Sequence, residues 1–153
     1  MTVESGLTLS PATPSDLDSV VGLVRSAGLP TDGIAENLQH FKVARDPAGR
    51  LAGVAGAEIY GDQALLRSVC IAPEYRGKAL GSRLTGAIMD YVRDAGCKEV
   101  YLLTTTAAGY FARKGFARVD RSAVSGPVLK SVEFATACPK TATVMLAQMD
   151  TTG

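Results

Sequence analysis

Apolar positions along this 153-residue chain follow two rhythms. Extended apolar or alternating runs predict strands, and apolar residues three and four apart predict helices. Leu7 to Ser10 reads as a first strand. Thr13, Pro14 and Asp16 supply the cap, first-turn proline and first-turn carboxylate of a helix. Leu17, Val20, Val21 and Val24 continue that helix, and Gly28 and Pro30 end it. Ile34 to Leu38 predicts a short second helix, His40 to Arg45 a strand, and Asp46-Pro47-Ala48-Gly49 a turn. Leu51 to Tyr60 and Ala64 to Ile71 predict two more strands joined at Gly61-Asp62, so three strands form an antiparallel meander.

After Pro73 the rhythm changes. Leu80, Leu84, Ala87, Ile88, Tyr91, Val92 and Ala95 make one apolar stripe on a long helix, with Gly96 at its C-terminal cap. Glu99 to Thr104 predicts a buried strand, and Ala107 to Lys114 a short helix capped by Gly115. Strand, turn, helix, strand is a βαβ unit, so Ala64–Ile71 and Glu99–Thr104 are expected to be parallel neighbours. Phe116 to Asp120 and Thr143 to Leu146 predict terminal strands around an irregular segment at Ser125-Gly126-Pro127. The expected class is α+β, a mixed α/β sheet with flanking helices, in a single domain over residues 1–153 without internal repeats.

Composition narrows the function. Sixteen basic against 15 acidic residues leave a net charge of +1, with no electrostatic footprint for nucleic acid or anionic membrane. No apolar run approaches the length that spans a bilayer, and the start MTVESG does not read as a signal peptide. The three cysteines, Cys70, Cys97 and Cys138, are widely spaced without a CxxC, which suits a reducing cytoplasm better than a disulfide framework or zinc ribbon. One histidine, His40, leaves a His-rich metal site or a Ser-His-Asp triad without its residues, and no metal is expected.

The segment Arg76 to Ser82 carries the chemistry. A turn opening a helix presents backbone N–H groups that lack intrahelical partners, and the helix dipole adds partial positive charge. Such a terminus suits a phosphate or pyrophosphate. Gly77 and Gly81 allow close backbone approach, and Arg76 and Lys78 add cationic donors. The segment is neither GxxxxGK[ST] nor GxGxxG.

The run Val69 to Leu84, with Arg76-x-x-Ala79-x-Gly81 at its centre, resembles the Q/R-x-x-G-x-G/A motif of the GNAT superfamily of N-acetyltransferases. Tyr110-Phe111-Ala112-Arg113-Lys114-Gly115-Phe116 is similar to the family's short helix ending in Gly-Phe, and the order of elements matches across the chain. Glu58-x-Tyr60-Gly61-Asp62, Leu66-Arg67-Ser68, Tyr101 to Thr106 and Glu133-Phe134-x-x-x-Cys138-Pro139 resemble a branch named for arsenic resistance. A related branch acetylates the amine of amino acids carrying an arsinate or phosphinate.

The resemblance implies acetyl-CoA as co-substrate. Its pyrophosphate would lie on the backbone of Gly77, Lys78, Ala79, Leu80, Gly81 and Ser82, beside Arg76. Its pantetheine would lie along Val69, Cys70 and Ile71, where one backbone N–H, assigned to Cys70, would polarise the thioester carbonyl. Thr104 stands where relatives carry a pantetheine-binding asparagine. Tyr110 and Phe111 align with the helix bearing the family's acid tyrosine, and the tyrosine itself aligns with Phe111, which has no proton to give. Ala79 replaces the motif's central glycine, a change tolerated if that residue keeps a helical φ.

Glu58 reads as the general base that deprotonates the amine, as a solvated strand carboxylate or as an ion-pair partner of Arg67. Arg67 reads either as a binder of a substrate anion or as half of a structural salt bridge. Strand alternation puts Arg67 and Ser68 on opposite faces, so at most one faces substrate. Thr105 and Thr106 are expected to cap the next helix, Asp62 to form a turn, and Cys70 and His40 to be structural. Cys138 reads as a buried hydrophobe, against an arsenical ligand or nucleophile. Together these expectations describe an N-acetyltransferase moving acetyl from acetyl-CoA to the primary amine of a small, anionic, amino-acid-like molecule. The partners would be that amine and a second copy in a homodimer, without nucleic acid or membrane. The alternative is a catalytically inactive acyl-CoA-binding sensor.

Overall fold

The computed structural model describes residues 6–77, 79–137 and 141–149. Lys78 and Cys138 lie outside the described residues. Seven strands form one sheet: β1 (Thr8–Pro11), β2 (Phe41–Arg45), β3 (Leu51–Tyr60), β4 (Gln63–Ile71), β5 (Glu99–Thr104), β6 (Ala117–Val119) and β7 (Thr143–Gln148). Their order is β1-β2-β3-β4-β5-β7-β6. The α-helices among the described residues are α1 (Leu17–Ser26), α2 (Ile34–Asn37), α3 (Leu80–Asp94) and α4 (Ala108–Ala112). The mixed sheet with flanking helices is the expected class. The chain divides into two compact units, Met1–Ala57 with Ser68–Tyr91 and Glu58–Arg67 with Val92–Gly153, and both β3 and β4 run through each.

In the first unit β1 pairs antiparallel with β2, and β2 with β3, setting Phe41 opposite Gly56. The entry to α1 is fixed by charge. The Thr13 N–H donates to Asp16 Oδ2 at 2.8 Å, and the Arg45 guanidinium on β2 donates to Asp16 Oδ1, so cap and strand share one carboxylate. Val20 and Val24 of α1 then bury against Ile34, Leu38, Phe41, Val43, Val54 and Cys70. Each such aliphatic side chain stabilises the fold by about 1.5–3 kcal/mol. On α3, Leu80, Leu84 and Ile88 are buried at helical spacing. Leu84 comes so close to β3 that a Cβ on Gly53 would sit 3.0 Å from Leu84 Cδ1 and 2.8 Å from Ile71 Cδ1. A side chain there would force the ends of the Ile71 and Leu84 side chains to shift.

In the second unit β5 is the centre. It lies parallel to β4 at Gln63–Leu65 against Glu99–Tyr101, and antiparallel to β7 along all six of its residues. The βαβ expectation for β4 and β5 therefore holds, over three residue pairs. Leu65, Tyr101, Val124, Val128 and Val144 form the core. Gln63 organises the segment expected to be irregular: its Nε2 donates to Glu99 Oε1 (3.0 Å) and the Ser125 carbonyl (2.8 Å), while its Oε1 accepts from the Val128 N–H (3.0 Å). Short turns at Arg121–Ala123 and Pro127–Lys130 result.

Several boundaries differ from expectation. His40 ends a 3-10 turn rather than starting β2, because its Nδ1 bonds the Tyr91 hydroxyl at 2.6 Å and the first paired residue is Phe41. Ala95 lies past the end of α3. The short helix closes at Ala112, two residues early, because the Lys114 and Phe116 N–H groups both return to the Phe111 carbonyl and Gly115 takes φ +97°. Among the described residues, no helix is long and apolar enough to cross a membrane, and no group of three His, Cys, Asp or Glu side chains could hold a metal.

Burial alone would push the Asp16 carboxyl up, but its hydrogen bonds from Arg45 and Thr13 outweigh this and hold it below the usual range. A depressed folded value means that this stabilisation is present above the unfolded value of about 4 and is lost as the pH falls through the folded one. Asp16→Ala is expected to cost about 1–2 kcal/mol at pH 7. Its unfolding free energy, measured in urea between pH 7 and pH 3, should fall less steeply with acid than that of the parent.

Candidate functional site

The elements that carry the site follow one another along the chain. Among the described residues β4 pairs with β5 only from Gln63 to Leu65, although β5 continues beside β7 to Thr104. The stretch Leu66 to Ile71 therefore leaves its parallel neighbour while remaining a strand.

Arg67 sits just past that parting, with no exposed side-chain surface. A guanidinium so buried requires opposite charge. Its Nη1 donates to Glu58 Oε2 at 2.6 Å, and its Nε lies 3.4 Å from Glu133 Oε2. Both carboxylates are almost fully buried as well. The Tyr60 hydroxyl donates to the other Glu58 oxygen, and burial together with the neighbouring Glu58 charge pushes that phenol well above its ordinary value. Of the readings of Glu58 and Arg67, the ion pair is what the geometry contains, and it has a third member. Glu133 is 66 positions from Arg67 in sequence, so periodicity gave no sign of the pairing; its place in the Glu133-Phe134 string was the only signal.

The strand rhythm behind the alternation argument for Arg67 and Ser68 is interrupted at Ser68. Both residues are buried, and Ser68 has φ +60°, a left-handed conformation inside a strand. A residue so twisted interrupts the two-residue rhythm that would send neighbours to opposite faces. After it, Val69 and Ile71 are half-buried, and Cys70 is buried in the first unit's core. Burial pushes the Cys70 thiol up to about 12, although the Arg76 charge opposes the shift. The side chain is therefore neutral at physiological pH, and only its backbone is suited to chemistry.

The turn is anchored from both sides. The Ala72 N–H donates to the Ala52 carbonyl (2.8 Å), and Arg76 Nε reaches back to the Ile71 carbonyl (3.2 Å), using one of its five N–H donors. Tyr75 donates its hydroxyl to Asp46 Oδ2 (2.8 Å), and Asp46 Oδ1 accepts from the Ala48 and Arg50 amides. The Tyr75 hydroxyl, then the Arg50 amide, hold the Asp46 carboxyl below the usual range. Sequence reading took Asp46 only as a turn former and missed this tether. Arg76, Gly77 and Ala79 are exposed, and Gly77 has φ +81° with nothing within 4 Å of where a Cβ would stand. Ala79 also has a positive φ, +60°, so the condition set for tolerating its methyl is not met. Its carbonyl accepts the Arg83 N–H (3.1 Å), opening α3, so the first-turn amides of Leu80, Gly81 and Ser82 precede the intrahelical ladder.

In the second unit Thr104 ends β5, and its hydroxyl oxygen accepts the Ala107 N–H at 2.9 Å. Thr105 and Thr106, expected to cap the next helix, are exposed, and the N-cap of α4 is Ala107, without a side-chain cap. Phe111 is buried edge-on against Phe116, with ring centroids 5.9 Å apart, while Tyr110 stays half-buried beneath Lys114 Nζ. The turn and the Val69–Ile71 backbone thus belong to the first unit. Glu58, Arg67, Thr104, Tyr110 and Phe111 belong to the second.

Two outcomes follow from this geometry. Arg67→Met leaves two buried carboxylates without their cation and is expected to cost about 3–5 kcal/mol, read from denaturant unfolding. A loss under 1 kcal/mol would contradict the buried triad. Ala79→Gly removes a left-handed penalty of about 1–2 kcal/mol and adds about 0.5–1 kcal/mol of chain entropy cost, so the unfolding free energy from denaturant titration should rise by roughly 0.5–1 kcal/mol.

Comparison with known proteins fits this geometry. The chain is 34% identical over 97 residues to a mycothiol acetyltransferase from Arthrobacter sp. (strain FB24), a match covering 57% of this chain and 30% of that protein. It is 27% identical over 126 residues to an amino-acid acetyltransferase from Pasteurella multocida, covering 76% of this chain and 28% of that one. The chain thus spans about 30% of the length of these relatives. Among solved structures, N-acetylglutamate synthase from Neisseria gonorrhoeae, complexed with coenzyme A and N-acetyl-glutamate, superposes with a TM-score of 0.80 at 17% identity, over 94% of this chain and 35% of that one. Rv2747 from Mycobacterium tuberculosis, in complex with CoA and NLQ, gives 0.80 at 22% identity, over 94% and 99%. Residues 20–118, from α1 to β6, match the Acetyltransferase (GNAT) family, and the chain belongs to that family.

Proposed function

We propose that residues 1–153 act as one acetyl-CoA-dependent N-acetyltransferase domain, acetylating the primary amine of a small, anionic, amino-acid-like molecule. The observation that carries this reading is the turn before α3, where Arg76, Gly77 and Ala79 are exposed and Gly77 is left-handed and open. Gly77, Ala79, Leu80, Gly81 and Ser82 would hold the pyrophosphate, with Arg76 beside them; Lys78 would add a second cation. Val69, Cys70 and Ile71 would hold the pantetheine arm through their backbone, with Thr104 as a further contact and Tyr110 and Phe111 shaping the acyl end. Acetyl-CoA supplies the activated acyl group.

The acetyl group passes directly to the amine: a C–N bond forms, the thioester C–S bond breaks, and the amine proton leaves. No side chain need carry the acyl group, which agrees with a Cys70 thiol kept neutral. Phe111 cannot protonate the leaving group, but a thiol with an ordinary pKa near 8.5 departs as thiolate with little help. In this reading Glu58 and Arg67 shape the acceptor side of the chain, and Ser68 follows them along β4. The likeness to an amino-acid acetyltransferase supports an amino-acid-like acceptor. The resemblance to the arsenic-resistance branch extends the acceptor class to amino acids bearing an arsinate or phosphinate. A reduced intracellular setting and a homodimer go with the same reading.

Buried Phe111 favours one second reading, an acyl-CoA-binding sensor without turnover. Two measurements separate them. Calorimetry with CoA is expected to show binding in either case, whereas free thiol released from acetyl-CoA with amino acids, polyamines and phosphinate or arsinate analogues appears only for the enzyme. Cys70→Ala should keep thiol release within a few-fold of the parent. Binding without thiol release leaves the sensor, and absence of CoA binding overturns both.

A further inference from the structure

Asp46 opens the turn between β2 and β3, and its side chain is almost fully buried. A carboxylate so placed needs its lone pairs filled. Three hydrogen bonds come from the turn itself. The Ala48 and Arg50 N–H groups donate to Oδ1, each at 2.9 Å, and Arg50 Nε donates to Oδ2 at 3.0 Å. Gly49, at φ +86°, folds the chain back so that Arg50 presents amide and guanidinium to one carboxylate. The fourth bond comes from 29 positions away, from the Tyr75 hydroxyl at 2.8 Å. The local bonds shape the β2–β3 turn; this one joins it to the loop between β4 and α3.

That loop's own bonds are short in range. The Tyr75 N–H returns to the Ala72 carbonyl (2.9 Å), the Arg76 N–H to the Pro73 carbonyl (3.4 Å), and Arg76 Nε to the Ile71 carbonyl (3.2 Å). Such bonds curl a loop but leave it free to swing as a body. A bond to a buried carboxylate on a neighbouring turn opposes that swing. Arg76 and Gly77, both exposed, follow Tyr75 directly, and all of these residues belong to the first unit. A backbone already in place when its ligand arrives loses less freedom on binding, so affinity rises.

We propose that Tyr75, anchored by Asp46, is a positioning residue for the cofactor: it fixes the Arg76–Gly77 backbone and thereby sets the affinity for coenzyme A. The inference rests on the reading of this turn as the pyrophosphate site. Calorimetry of the whole chain tests the two separately. For the turn, the parent should bind CoA at least about tenfold more tightly than pantetheine, which lacks the pyrophosphate and nucleotide. For the anchor, Tyr75→Phe removes one oxygen atom and should weaken CoA by about three- to tenfold. Asp46→Asn should weaken it at least as much. The double variant should bind within about twofold of the weaker single one, because either change breaks the same bond.

Tyr91→Phe is the matched control. It also removes a hydroxyl from a hydrogen bond in the first unit, with His40 Nδ1 at 2.6 Å, and CoA affinity should stay within about twofold. A general loss of stability would instead move both tyrosine variants alike. Each variant is checked by its unfolding midpoint, and Asp46→Asn against Tyr91→Phe carries the test if Tyr75→Phe does not fold. CoA bound no better than pantetheine overturns the pyrophosphate reading and the positioning role with it. In a parent that prefers CoA, three results overturn the positioning role alone: undiminished affinity in Tyr75→Phe, an equal loss in Tyr91→Phe, or losses that multiply in the double variant.

Discussion

A guanidinium with no exposed surface must be met by opposite charge inside the protein, and Arg67 is met twice, by Glu58 and Glu133. This constraint ties β3, β4 and the π-helical turn Glu133–Ala137 together at the place where β4 parts from β5. A strand that loses its parallel neighbour needs another reason to keep its path. Here a charged side chain supplies it, two residues past the last paired position. The triad carries one positive and two negative charges, and the Tyr60 hydroxyl gives the surplus on Glu58 a donor. Such a cluster is weak evidence for stability but fixes geometry, because removing any member strands another.

From Arg67 onward the chain is shaped by backbone twist. Ser68 and Ala79 take left-handed conformations that ordinary residues avoid, and Gly77 takes one at little cost. Ser68 turns the strand after the triad, while Gly77 and Ala79 turn the loop before α3. Between them, Tyr75 is tethered to Asp46 across the first unit. The turn is therefore held by side chains on its approach and by the α3 hydrogen-bond ladder on its exit. Between these anchors Arg76, Gly77 and Ala79 are exposed, as a phosphate-binding backbone requires.

Much of this was legible in advance. β3 and β5 begin and end where alternation and turn residues put them, β4 starts one residue early, and β1 is shifted by one residue at both ends. These elements were readable because strand period, turn glycines and capping residues are local properties. The Arg76–Ser82 turn was readable for the same reason. The backbone angle of Ala79 was not, since a methyl group gives no sign that the loop will force it to positive φ. His40 shows the opposite failure: its local pattern suited a strand, and a bond to Tyr91, 51 positions away, held it in a turn.

The sequence by itself determined the element order, the turn that opens α3 and the family resemblance, because each depends on neighbours within a few positions. Only the tertiary structure decided which charges meet. Glu58 could have been a solvated base and Arg67 an exposed anion binder; β3, β4 and Glu133 converge to bury all three instead. In the same way, nothing around Arg121 in the sequence distinguishes it from a surface arginine. It packs over Phe134, 13 positions later, and two of its donors are buried without an acceptor among the described residues. Burial and pairing are properties of the assembled chain, since they depend on which distant segments pack against one another.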